Sequence, residues 1–145
     1  PITYLSMALD FEKYVSKGNE FINSLDTALG SKGREHASRV LRSIFRALRS
    51  RLSPEQSIHL LAQLPIILKG VYVDGWKWHK GERPIENLYD FLHEMMMEDG
   101  KAAWRDFASE QDAYFALRAF FQTINQYISA GEMEDLLSIF PYQLR

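Results

Sequence analysis

Apolar residues recur at helical three-and-four spacing along nearly the whole chain. Phe11, Tyr14, Val15, Phe21, Ile22, Leu25 and Leu29 mark one face of a first helix, with Gly18 between them. Gly30 is placed to stop it. Gly18 either weakens its middle or admits a close neighbour. Val40, Leu41, Ile44, Phe45, Leu48 and Leu52 form a second stripe, which ends at Ser53-Pro54-Glu55-Gln56. There Ser53 can accept from the Gln56 backbone N–H while the Gln56 side chain reaches back, a capping box with proline at the first helical position. A short helix through Ile58, Leu60 and Leu61 runs into Pro65, which lacks an N–H and disfavours helix in the residue before it. Pro65 can open another short helix carrying Ile66, Ile67, Leu68, Val71 and Tyr72. Residues from Val73 to about Glu86 read as a linker, with turn formers Asp74-Gly75, Lys80-Gly81 and Pro84. Leu88, Phe91, Leu92 and Met95 start a further helix that breaks near Asp99-Gly100. A short turn around Ala102, Ala103, Trp104 and Phe107 leads to Ser109. The last long helix carries Ala113, Phe115, Ala116, Leu117, Phe120, Phe121, Ile124 and Ile128. Strand-like alternation is scarce.

The pattern also repeats. Residues 37–69 align with residues 113–145 at a constant offset of 76, without a gap. Nine of 33 positions are identical: Ala37/Ala113, Leu41/Leu117, Arg42/Arg118, Phe45/Phe121, Ser53/Ser129, Leu60/Leu136, Leu61/Leu137, Pro65/Pro141 and Leu68/Leu144. Composition alone would give about two or three. Ser129-Ala130-Gly131-Glu132 predicts a second capping box at the equivalent place. Because the retained positions are mostly apolar, the repeated object is a packing unit. The expected fold is all-α: one helical domain over residues 1–145, made of two related units. Each long helix is expected to pack on its counterpart about a pseudo-twofold axis.

Composition adds exclusions. The 145 residues contain no cysteine, which rules out disulfides, thiolate metal sites and cysteine nucleophiles, and fits a reducing, cytoplasmic setting. No stretch approaches the ~18–20 apolar residues of a membrane span, and no secretory signal pattern is visible. The chain begins with proline, and Met7 is a candidate initiator, with Pro1–Ser6 as extra sequence. Net charge is −2, but residues 1–81 carry a balance of +5 and residues 82–145 one of −7. Such asymmetry points to a polarised surface or to self-association with a second copy.

The strongest chemical candidate is a basic stripe. Arg39, Arg42, Arg46 and Arg49 sit within roughly 80° of one helix circumference. A charge run of this kind is usually a solvated face; the sharper reading is an anion-binding surface. The second copy has Phe115, Arg118, Gln122 and Asn125 at these places, so the fold does not need all four charges. Glu86, Asp90 and Glu94 recur every four residues and are able to face the stripe. Trp76 and Trp78, in Trp76-Lys77-Trp78-His79, read first as a lid over the core and second as a binding site. Of Met95, Met96 and Met97, Met95 is expected on the core face. His59 has Asp135 as its repeat equivalent, and twofold packing would bring the pair together. Neither a metal-binding spacing such as HExxH nor a nucleotide-binding glycine motif occurs, and no cofactor is expected.

The order of these pieces resembles a widespread bacterial family of uncharacterised proteins, domain of unknown function 2267. The resemblance rests on the arginine-rich helix Val40 to Arg51, then Leu52-Ser53-Pro54-Glu55, then Gln63-Leu64-Pro65. It continues through Leu68-Lys69-Gly70-Val71-Tyr72 to Asp74-Gly75-Trp76, and the second copy is similar from Leu117 to Pro141. It covers the chain from about Phe11 onward. Ile139 stands where the first copy has Gln63, so the copies do not share that polar group. The resemblance implies an all-helical duplicated domain and carries over no catalytic residue, cofactor or substrate. The function expected from the residues is a non-enzymatic interaction or regulatory domain. It would act by protein–protein contact through Arg39, Arg42, Arg46 and Arg49 or through Trp76 and Trp78. Nucleic-acid or other anion binding through the basic face is the alternative, disfavoured by the acidic second half and a pI of about 6.1. A small enzyme or metal protein built on His59 and Asp135 is the third.

Overall fold

Residues 8–77 and 84–140 are described by a computed structural model of the chain. They form helices α1 (Phe11–Ala28), α2 (Arg34–Arg51), α3 (Pro54–Gln63), α4 (Ile66–Val73), α5 (Leu88–Glu98), α6 (Ala103–Asp106), α7 (Glu110–Ile124) and α8 (Ala130–Ser138). A 3-10 turn, Gly100–Ala102, joins α5 to α6. No strand occurs among the described residues.

The helix boundaries follow from local chemistry. At the end of α1, Gly30 takes φ +95°. Its N–H donates to the Thr27 carbonyl at 3.1 Å, and the Ser31 N–H donates to the Asp26 carbonyl at 2.8 Å. This paired closure needs a residue that tolerates positive φ. Ser53 and Gln56 form the capping box of α3, with N–H to side-chain distances of 3.1 and 3.0 Å. Asn87, Ser109 and Ser129 cap α5, α7 and α8 by accepting from the backbone three residues on. The box expected at Ser129 is only half formed: Ser129 accepts from the Glu132 N–H at 3.2 Å, without the return bond.

The two long helices of the repeat start in register. α2 and α7 begin 76 residues apart, and so do α3 and α8. Packing differs from the expectation of counterpart on counterpart. α2 lies mainly against α5, and α7 mainly against α1. α2 and α7 meet over a smaller area, where the Phe45 and Phe120 rings stand edge to face at 5.9 Å. The reason is the breadth of each stripe. Buried residues on α2 run from Ala37 through Ile44, Phe45, Ala47 and Leu48, too wide an arc for one neighbour. The crossings are mirrored between halves: α1 packs on α2 as α5 packs on α7, and α3 packs on α8.

Aromatic rings run through the interior as a chain. Trp76 touches Tyr72 at 5.7 Å, Tyr72 touches Phe45 at 5.2 Å, and Phe45 touches Phe120. Phe120 continues to Phe121 at 5.7 Å, Phe121 to Phe140 at 5.2 Å, and Phe140 to Phe91 at 4.9 Å. Most of these contacts are edge-to-face or tilted, the preferred aromatic geometry. Gly18 is a close-approach point: a Cβ there would lie 3.0 Å from Ile67 Cγ2, so α4 sits directly on α1. Met95 is buried and Met97 exposed, as the helical spacing predicts.

Candidate interaction surface

The arginine face of α2 is divided between structure and solvent. Arg39 donates from Nε and Nη2 to the two carboxylate oxygens of Asp106, at 2.8 and 2.9 Å. Asp106, on α6, is buried, and the bidentate pair fixes that short helix against α2. Arg49 donates from Nη1 to the carbonyls of Tyr72 and Asp74, at 2.9 and 2.6 Å. It thereby satisfies carbonyls at the end of α4 that have no intrahelical partner. Arg51, just outside the stripe, pairs through Nε with Glu94 Oε1 at 3.1 Å, both side chains about nine-tenths buried. Glu94 is thus the one member of the expected acidic row to meet an α2 arginine. Asp90 is held by Asn87 Nδ2 at 3.0 Å instead.

Arg42 and Arg46 make no hydrogen bond or ion pair among the described residues. Arg42 is exposed beside a groove between α1, α2 and α4, of about 190 Å³ and lined by Val15, Ile22, Leu41, Ile67 and Val71. Arg46 borders a second recess of about 240 Å³ with Ser50, Trp76, Lys77 and Glu98. Trp76 is half-buried against Tyr72, so it acts as the lid the sequence suggested while keeping an edge in this recess. Trp78 and His79 lie outside the described residues. Tyr72, which sequence reasoning placed only as one of several apolar residues, anchors this region. Its hydroxyl shares a hydrogen bond with Ser57 Oγ at 2.8 Å, and burial pushes its ionisation up to about 12. The spacing of Leu68 and Tyr72 on one helix face was the available signal.

A partly buried charge cluster at the α5–α6 corner, with only Asp106 fully buried, was not anticipated from the sequence. Asp99, at the end of α5, hydrogen-bonds to Asp106. Burial, then that bond and the neighbouring charge, raise its carboxyl to about 7. The Asp99 Oδ2 is buried without a hydrogen-bond partner among the described residues, which favours the protonated form, able to donate to Asp106. Burial would raise the Asp106 carboxyl too, but the Arg39 guanidinium and the Asp99 proton outweigh it and hold it below the ordinary value. His36, nearby, is lowered, first by burial and then by Lys32 and Arg39 against the pull of Asp106. Its Nδ1 is buried without a partner.

The sign for Asp99 follows from linkage. A carboxyl whose folded value is raised stabilises the fold below its unfolded range, about 4, and that contribution is lost as pH rises towards 7. Asp99→Asn keeps a donor to Asp106 and removes the titration. With the site partly open to solvent, the variant is expected to gain about 1–2 kcal/mol over wild type at pH 8 and nothing near pH 4. Urea unfolding of both proteins across this range is the check. The difference between them removes the opposing His36 contribution. Equal slopes would refute the assignment.

His59 and Asp135 both line a cavity of about 230 Å³ between α3 and α8. No group of three His, Asp or Glu side chains suited to a metal ion occurs among the described residues. Among these residues too, no helix is long and apolar enough to cross a membrane.

What fold and surface together define is an all-helical domain whose basic helix is partly spent on internal contacts and partly left open beside an apolar groove. The chain belongs to the DUF2267 family of uncharacterised conserved proteins, which matches residues 18–145. No curated protein matches it.

Proposed function

We propose that the chain is a non-enzymatic interaction or regulatory domain, acting in the cytoplasm, that docks an acidic and partly apolar segment of a protein partner along α2. The proposed contact runs from the Arg42 groove, past Arg46, to Trp76. We further propose that the two halves are copies related by a pseudo-twofold axis. The coincident helix starts and the mirrored crossings support this.

One observation carries the reading. Arg42 is the arginine of the stripe that the second copy retains, as Arg118, and it has no partner among the described residues. Arg39 and Arg49, which do hold the fold, have Phe115 and Asn125 as equivalents. The retained charge is therefore one of the two that folding does not use, Arg46 being the other. The groove beside it exposes Val15 and Ile67 (48% and 40%), so a partner would bury apolar area as well as neutralise charge.

The test is Arg42→Glu with Arg46→Glu. Unfolding free energy is expected to change by less than about 0.5 kcal/mol, since both side chains lack internal partners. Amide shifts on α1, α2 and α4 produced by an acidic amphipathic helical peptide are expected to vanish. Persistence of those shifts in the variant would remove the reading. Retention of a DNA or RNA duplex at 0.15 M salt by wild type alone would favour the nucleic-acid alternative instead.

A further inference from the structure

The cavity between α3 and α8 has the make-up of a ligand site of its own. Its floor is Leu60 and Leu136, both buried and both at equivalent places in the repeat. Its walls are not equivalent. α3 contributes Gln56, His59 and Gln63, while α8 contributes the carboxylates Glu132 and Asp135. Glu132 and Asp135 are three residues apart, hence on one helix face. Neither makes a hydrogen bond or ion pair through its side chain among the described residues. The contrast with Gln56 is informative. Gln56 turns its side chain back to close the α3 cap, whereas Glu132, at the equivalent place, does not close the α8 cap. Both residues line the cavity.

We propose that this cavity binds a small organic cation: a primary ammonium on a short alkyl body. The body would lie on Leu60 and Leu136 and the ammonium would meet Glu132 and Asp135, with the Gln63 side-chain oxygen able to accept from it. An anion is disfavoured by the two carboxylates. A bare divalent ion is disfavoured because the acidic and imidazole groups do not converge as a coordinating set among the described residues. A volume of about 230 Å³ suits a ligand of about ten heavy atoms or fewer. The proposal stands on different residues from the α2 face, so either can fail alone.

Titration of the isotope-labelled full chain with n-hexylammonium, n-hexanol and hexanoate, followed by amide shifts at 0.15 M salt, tests it. Hexylammonium is expected to give saturable shifts confined to α3 and α8, with a Kd on the order of millimolar. Glu132→Gln with Asp135→Asn is expected to weaken it at least tenfold. Both side chains are at least partly exposed, so the variant is expected to fold, and its circular dichroism checks this; the single Asp135→Asn serves as a milder second variant. Hexanol binding as tightly as the amine, shifts elsewhere than α3 and α8, or an unaffected double variant would each overturn the proposal. A blocked lysine binding tenfold more tightly than hexylammonium would identify the source as a partner protein's lysine. The reverse order would identify a free amine, and both orders support the ligand class.

Discussion

Arg39→Ala is expected to lower the unfolding free energy by about 2–4 kcal/mol at pH 7, far more than loss of an ordinary surface arginine. The pair it breaks is bidentate, and its acidic partner is almost wholly buried. Removing the guanidinium leaves Asp106 charged, buried and beside a second carboxyl group. The lower end of the range allows for Arg39 itself, whose side chain is 26% exposed. Asp106 is held below its ordinary value in the folded protein, so its contribution is present above about pH 4 and is lost as pH falls through that folded value. The deficit of the variant should therefore narrow as pH falls below the ordinary carboxylate range, about 4. Adding Asp106→Asn should restore at least half of the loss. Urea unfolding at several pH values measures all of this. A loss below 1 kcal/mol at pH 7 would mean that the corner is not held by this pair.

The second large effect concerns the interior. Phe45→Ala is expected to cost about 3–5 kcal/mol, as for other fully buried aromatics. Phe45 is 1% exposed and its ring bridges Tyr72 of α4 to Phe120 of α7. Its loss opens a cavity where α2, α4 and α7 meet. A double-mutant cycle with Phe120→Ala should return a coupling of about 0.5–1.5 kcal/mol. Additive losses would show that the α2–α7 contact contributes little and that α5 and α1 hold the long helices independently.

The candidate surface was only partly legible beforehand. Arg39, Arg42, Arg46 and Arg49 were visible as one stripe because helical spacing alone puts them on one face. Their division into two roles was not visible. It depends on Asp106, 67 residues from Arg39, and on the carbonyls of Tyr72 and Asp74 beyond a proline break. Asp99 offered no signal at all, being one acid in an acidic half. The Ser129 box misled because an S-x-x-E spacing permits the return bond without requiring it.

Helix positions and their caps come from interactions spanning three or four residues, and such interactions can be read along a chain. The all-helical class and the buried face of each helix follow from them. Which helix each broad apolar face chose, which arginines were neutralised, and which carboxyl is raised towards neutrality were settled only when distant elements packed. Those outcomes turn on desolvation and on distances between groups far apart in the chain. Local order carries no record of either.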